Sequence, residues 1–421
     1  MLSSILKIRD FRNLWIGQSI SQMGDAVFYL VFIYMVDHYT KDPERTGQIT
    51  ALQAIPYFLF SLIAGVVVDR RSRKAVMLFS EIASASLLFV FALLLVQRPE
   101  PPLIAIFAIA FLLNVVNVFF APAKSAAIPS LVPARLLLAA NSLSSATQNL
   151  MNVFGMAISG VLFGILSTRF SLETIFKVVV TLNACSFLAS AAFIAKLPPL
   201  LPDREEHPHP WEDMKAGVRY IKQNRTVAVL LGLGMLMQLF VAPFFVVYIV
   251  VNRQWFGGSY STLAIFEVCF LVAMVVTSLG LSSANIRRPG IAYIGGLCAL
   301  GITIAAMAYS RSVFWFAFWN VMAGVALPFA QIPMSTYLQQ VVPDEFRGRV
   351  NSVLAMAAFG IIPVGSLMAG FMLARLGPVA MFLLMGGGMF LAAFLGALDS
   401  SFRTSTIQAG ENEDWAESNT D

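Results

Sequence analysis

Gly65-Val66-Val67-Val68-Asp69-Arg70-Arg71-Ser72-Arg73-Lys74 sets a dense knot of charge between two long apolar runs. Only 12% of the chain is Asp, Glu, Lys or Arg, so such a cluster stands out. The run before it, residues 47–68, and the run after it, residues 75–97, are each long enough to cross a hydrocarbon core of ~30 Å at ~1.5 Å per residue. The charges therefore read as a short loop at a membrane surface.

The rest of the chain agrees. It has 421 residues, of which 58% are hydrophobic, and a mean hydropathy of +0.76, well above the roughly half-apolar make-up of a soluble domain. At ~20 residues per crossing, about twelve spans fit. They are expected near residues 14–36, 47–68, 75–97, 102–123, 138–166, 171–196, 226–251, 259–283, 289–309, 312–337, 349–374 and 378–400. Backbone inside a bilayer must satisfy its own hydrogen bonds, so these spans should be helices. The short alternating segments of a barrel are absent. The N-terminus lacks the pattern of a cleaved signal, and Asp25 interrupts the first apolar run, which should remain in the mature protein.

Basic residues are biased between the connecting segments. Arg70, Arg71, Arg73 and Lys74 fall with Lys7, Arg9, Arg12, Arg287, Arg288, Arg347 and Arg349 on one side. That bias places both termini in the cytoplasm of a multi-pass protein of the cell inner, or plasma, membrane. In this setting a formal net charge of +5 reflects topology, not nucleic-acid binding. Cys185, Cys269 and Cys298 lie in apolar spans without metal-ligand spacing, so no metal and no cofactor is expected.

The halves look like copies of one another. At a constant offset of 210, Val132-Pro133 matches Val342-Pro343, Asn141-Ser142 matches Asn351-Ser352, and Gly155, Gly160 and Gly24 match Gly365, Gly370 and Gly234. The expected organisation is an N-terminal six-helix half (1–196), a cytoplasmic linker (197–225), a C-terminal six-helix half (226–400) and a polar, acidic tail (401–421) expected to be disordered. In the linker, Trp211, Met214, Val218 and Ile221 share one helical face, and Lys215, Arg219 and Lys222 share another. Such a helix either lies on an anionic inner leaflet, with membrane lipids as partners, or forms a solvated connector. Duplicated six-helix units are the architecture of transporters that rock about a midplane site.

Ionisable groups within a span are costly, so each is a functional candidate. Asp25 and Glu267 lie deep in the first and eighth spans, while Glu81 is near enough to the charged loop to pair with it. Gln18, Gln22, Asp25 and Tyr29 follow spacings of four, three and four, which aligns them on one helix face. A second stripe in the fifth span runs through Asn141, Ser145, Gln148, Asn152, Gly155 and Ser159. Asn114, Asn117, Gln238 and Asn320 are further candidates for a cavity wall. The glycines Gly155, Gly160, Gly365 and Gly370 suit close helix packing. Asp25 reads either as a residue that exchanges a proton for a cationic substrate or as a hydrogen-bonded structural acid.

Gly65-x-x-x-Asp69-Arg70-x-x-Arg73-Lys74 resembles the loop motif of the major facilitator superfamily between its second and third helices, with Ser72 where a glycine is usual. Phe11-Arg12-Asn13-Leu14-Trp15-x-Gly17-Gln18, Gly24-Asp25, Ala121-Pro122-Ala123 and Arg347-Gly348-Arg349-Val350 make the chain similar to the bacterial efflux branch of macrolide exporters and enterobactin-exporter-like proteins. The resemblance implies an all-α membrane fold of twelve transmembrane helices in two six-helix pseudo-repeats. It also implies that Gly65, Asp69, Arg70, Arg73 and Lys74 form a gating loop, in which Asp69 approaches the start of the eleventh helix and Arg70 and Arg73 orient it. Two features depart from the family pattern. Gly155-Met156-Ala157-Ile158-Ser159-Gly160 lacks the proline of the antiporter motif, and the fourth span carries Asn114 and Asn117 but no arginine.

The expected function is secondary active transport, specifically proton-coupled efflux of hydrophobic or amphipathic small molecules by alternating access, by a monomer. A lysophospholipid or lipid-like flippase without proton coupling is the alternative, and a non-transporting receptor or scaffold is a remote one. No phosphate-binding loop motif, nucleophile elbow or zinc-protease motif occurs, which argues against an ATP motor and against an enzyme.

Overall fold

The computed structural model describes residues 5–98, 100–201, 210–281 and 286–406. The linker stretch 202–209 and the tail from 407 onward, where disorder was expected, lie outside the described residues. The first half is built from α1 (Arg9–Thr40), α2 (Pro43–Arg70), α3 (Arg73–Gln97), α4 (Leu103–Leu131), α5 (Leu137–Leu166) and α6 (Leu172–Ile194). A linker helix, Pro210–Gln223, leads to α7, which runs Arg225–Val241 and resumes as Phe244–Trp255. Next come α8 (Tyr260–Leu281), α9 (Pro289–Met307) and α10 (Val313–Val341). The final run, Asp344–Leu398, is divided by Gly377 into α11 (344–376) and α12 (378–398). Gly377 has φ 75° and ψ 171°, a conformation open essentially to glycine alone, and Pro378 then starts the last helix with its φ preset.

Ten described segments are long and apolar enough to cross a membrane. Dividing the last one at Gly377 and adding the 28-residue α2 gives the twelve helices that the sequence implies. Side chains such as Phe79, Ile104 and Leu279 point outward and are more than two-thirds exposed, which only a lipid solvent makes favourable. At α2, α3, α6 and α7 the helix starts where a side chain accepts from an otherwise free amide. Asp42 accepts from Glu44 N at 2.9 Å and Asn224 from Val227 N at 3.2 Å. Ser72, at the position of the motif's usual glycine, caps α3 through Ala75 N at 3.4 Å.

The internal repeat is visible in packing. α4 and α10 both have 29 residues, and both end at the paired Val-Pro steps, with Val132 and Val342 as their C-caps. Gly155 on α5 lies against Ala26 of α1, and Gly365 on α11 lies against Ala242 of the α7 break. One turn further, Gly160 meets Ala264 of α8, and Gly370 meets Pro43 and Glu44 of α2. The two glycine pairs thus occur where α5 and α11 each cross first a helix of their own half and then one of the other half.

The linker helix corrects the inner-leaflet reading. Met214, Val218 and Ile221 pack with Val342, Val350 and Val353, and the Tyr220 ring stacks on Phe346 at 5.3 Å. Tyr220 Oη donates to Val341 O at 3.2 Å. Protein therefore covers the apolar face, while Lys215, Arg219 and Lys222 remain on the exposed side. The Trp211 side chain lies outside the description.

In the opening loop, Arg73 and Lys74 have partners of their own. Arg73 Nη1 donates to Ser130 Oγ of α4 at 2.8 Å, Arg73 N donates to Leu200 O at 2.9 Å, and Lys74 Nζ donates to Ala195 O at 2.8 Å and to Leu197 O. These cations moor the start of the linker to the first half, where free carbonyls after α6 supply acceptors. Arg70 is exposed at the end of α2. The expected approach of Asp69 to α11 concerns a side chain outside the description.

Candidate functional site: a two-chambered cavity around Asp25

The halves close on each other at the end opposite the basic loops. There Tyr34 Oη donates to Gly258 O at 2.9 Å, Tyr260 Oη donates to Ser159 Oγ at 2.8 Å, and Arg253 Nη1 donates to Asp37 Oδ1 at 2.6 Å. At the basic-loop end, by contrast, Asn141, Ser145 and Gln148 on α5, Gln339 on α10 and Asn351 on α11 are exposed. Such polar faces need water, so a vestibule opens at that end.

Two connecting chambers lead inward from it, and Asp25, Tyr57, Asn117 and Phe187 line both. The deeper is walled by Phe28, Tyr29, Phe32 and Phe359, with Gln53, Asn114 and Asn183 as polar points. The other adds Gln18, Gln22, Glu81, Lys124 and Gln148. The Tyr57 ring stacks on Phe359 of the opposite half at 5.4 Å, and Tyr29 meets Phe245 edge-on at 5.3 Å. Apolar rings around the Asp25 carboxylate make a wall that can hold an amphipathic body and one positive charge.

Asp25 Oδ1 accepts from Asn183 Nδ2 of α6 at 3.2 Å. Gly24 permits this contact: a Cβ there would overlap Ser186 Oγ and Asn183 Oδ1. Gly24→Ala is therefore expected to destabilise the purified protein by ~1–3 kcal/mol of overpacking. The check is the melting temperature. Ser186→Ala in the same chain should recover part of the loss, because it removes the nearest clashing oxygen.

The stripe Gln18, Gln22, Asp25 and Tyr29 faces these chambers, as do Asn114, Asn117 and Gln148. Asn152, Gln238, Glu267 and Asn320 do not border either one. Asn320 is wholly buried, accepting from Tyr248 Oη and donating to Phe316 O at 2.8 Å. Glu267 is buried beside Phe266, whose ring packs on Phe316 at 4.6 Å and on Tyr248 at 5.9 Å. This aromatic cluster fills the second half where a cavity wall was expected. Glu81 likewise avoids the charged loop and turns toward α1 and α6, accepting from Gln18 Nε2 at 3.2 Å and Ser190 Oγ at 2.8 Å. Asn183, Tyr57 and Lys124 are cavity residues that the sequence reading missed. Asn183 and Lys124 carried a signal, as a side-chain amide and a cation inside apolar runs.

Comparison with known proteins gives a consistent picture. Residues 14–359 match the Major Facilitator Superfamily. The chain is 23% identical to macrolide efflux protein A of Streptococcus pyogenes over 386 residues, covering 89% of this chain and 92% of that one. It is also 23% identical to the enterobactin exporter EntS of Citrobacter koseri over 401 residues, covering 93% and 92% of the two chains. Among solved structures, the nucleoside transporter NupG superposes with a TM-score of 0.72 at 16% identity, covering 92% and 98%. A bacterial homologue of the iron transporter ferroportin, in its inward-facing state, superposes with a TM-score of 0.71 at 14% identity, covering 95% and 99%.

Proposed function

The chain belongs to the Major Facilitator Superfamily, and from that premise we propose that it exports hydrophobic or amphipathic small molecules from the cytoplasm in exchange for protons. As a family member it is a multi-pass membrane transporter and not an enzyme. The observation that carries the finer reading is the position of Asp25, on the wall common to two aromatic-lined chambers that open at one end only. With both termini cytoplasmic, as the bias of basic residues favours, that opening faces the cytoplasm and the protein is in its loading state.

Export then needs few parts. A cationic amphiphile enters the vestibule, lays its apolar body against Tyr29, Phe32 and Phe359, and places its charge at Asp25. Rocking the halves exposes the chambers to the other side, where a proton competes for the same carboxylate and releases the cargo. Gln53, Asn114 and Asn117 offer hydrogen bonds to oxygen-rich substrates. The macrolide and enterobactin exporters among the relatives favour bulky cargo of this kind. The transporter acts as a monomer in this scheme, since one chain supplies both halves.

Purified protein in liposomes, with erythromycin as the probe, tests the reading. Imposing a pH gradient should drive accumulation, and collapsing it with an ionophore should abolish the effect. Equal accumulation without the gradient would refute proton coupling, and displacement of the probe by lysophospholipid alone would point to a flippase.

A further inference from the structure

Beyond Asp25, a second acid borders the cavity. Glu81 lies on α3 with 2% of its surface exposed, and the second chamber reaches it as well as Asp25. Its Oε1 accepts from Gln18 and Ser190. Its Oε2 is buried and has no hydrogen-bond partner. None of the ion pairs among the described residues includes it. A bare carboxylate charge shut away from water is costly, and a carboxyl that holds a proton there costs far less.

The two acids are arranged in register. Gln18 precedes Asp25 by seven residues on α1, and Ser190 follows Asn183 by seven residues on α6, which runs the opposite way. Each acid thus takes a hydrogen bond from α6, and the two levels are separated by ~10 Å, or about two helical turns. The Glu81 level is the one nearer the vestibule mouth.

We propose that Glu81 is a second proton-binding site, placed between Asp25 and the open end, and that each export cycle passes a proton from Asp25 to Glu81 and on to the cytoplasm. This rests on the proton-coupled reading above. The proton leaves an Asp25 oxygen when a cationic substrate takes its place, binds Glu81 at Oε2, and departs through the second chamber, so charge is conserved at each step. The charged and titratable groups facing Glu81 are few. Asp25 comes from α1, Lys124 from α4 and Tyr57 from α2, all on the walls of the same chamber. α6 contributes only the hydroxyl of Ser190. Lys124 makes the chamber electropositive when Asp25 is neutral, which favours release of the proton outward from Glu81.

Two measurements on the full chain test this. Infrared difference spectra across a pH jump should show protonated-carboxyl bands, one of which disappears in Glu81→Gln and returns, shifted, in Glu81→Asp. Glutamine keeps an acceptor for Gln18 and Ser190, so a purely packing role would leave transport intact. In liposomes, Glu81→Gln should lose at least ~tenfold of the gradient-driven accumulation of erythromycin while keeping gradient-independent exchange. An unchanged set of carboxyl bands, or gradient-driven accumulation at the wild-type level, overturns the proposal. If the wild-type protein itself ignores the gradient, the coupled-export reading fails, and the infrared bands alone then decide whether Glu81 binds a proton.

Discussion

Asp25→Asn should cut gradient-driven accumulation of a cationic substrate by on the order of a hundredfold while leaving the protein folded. Asparagine preserves the shape of the side chain and an oxygen that can accept from Asn183, so the α1–α6 contact at 3.2 Å survives. It removes only the charge and the exchangeable proton. The loss of one charge-assisted contact, ~3 kcal/mol where water is largely excluded, corresponds to on the order of a hundredfold in the coupled rate. Neutral amphiphiles should be affected less than cationic ones, because their binding rests on the aromatic wall of Phe28, Tyr29 and Phe32. Erythromycin accumulation with and without a pH gradient is the direct measurement. Undiminished gradient-driven transport would take Asp25 out of the mechanism and leave Glu81 as the remaining acid on the cavity wall.

The stripe that carries Asp25 was legible because helix periodicity is local: spacings of four, three and four align side chains on one face whatever lies across from them. The spans were legible for a similar reason, since length and apolarity are properties of contiguous sequence. Their ends were less so. α1 reaches from Arg9 to Thr40, beyond the expected 14–36, because charged and aromatic ends continue the helix past the hydrocarbon. What sequence could not order was which polar residues face water. Asn320 and Glu267 have the same composition signal as Asn114 and Asp25, yet both are buried off the chamber walls, Asn320 against Tyr248 and Phe316. Aromatic packing across helices leaves no periodic trace on any one of them. Glu81 misled for another reason: it is close in sequence to a charged loop, but eight residues up a helix points it to α1 and α6.

Arg253→Gln should shift the protein toward the state open at the other end. The pair Arg253–Asp37 joins α7 to α1 across the halves at 2.6 Å, with side-chain exposures of 28% and 7%. Asp37 and Arg253 are 216 residues apart, so no local pattern announced their meeting. The neighbouring pair Glu44–Arg375, at 3.4 Å, is exposed at 41% and 55% and contributes little to closure. Removing Arg253 leaves the Asp37 carboxylate buried without that cation only while this end stays shut, because opening rehydrates it. The closed form is thereby penalised by about 2 kcal/mol, roughly a thirtyfold shift in the equilibrium between the two states. A cysteine placed at Ser159, which is 2% exposed in the same seam, should then react faster with a membrane-impermeant maleimide added from the closed end. Reversing both charges, with Asp37→Arg and Arg253→Asp together, should restore slow labelling if the ion pair itself is the clamp. Should labelling remain slow in Arg253→Gln, closure would rest instead on the seam's other contacts, the Tyr34–Gly258 hydrogen bond and the stacked rings of Phe163 and Tyr260, 4.1 Å apart. Because the vestibule and this seam lie at opposite ends, whatever energy the clamp contributes is set directly against the energy of opening. A transporter with the clamp removed should thus load cargo more weakly from the vestibule side even though no cavity residue has changed.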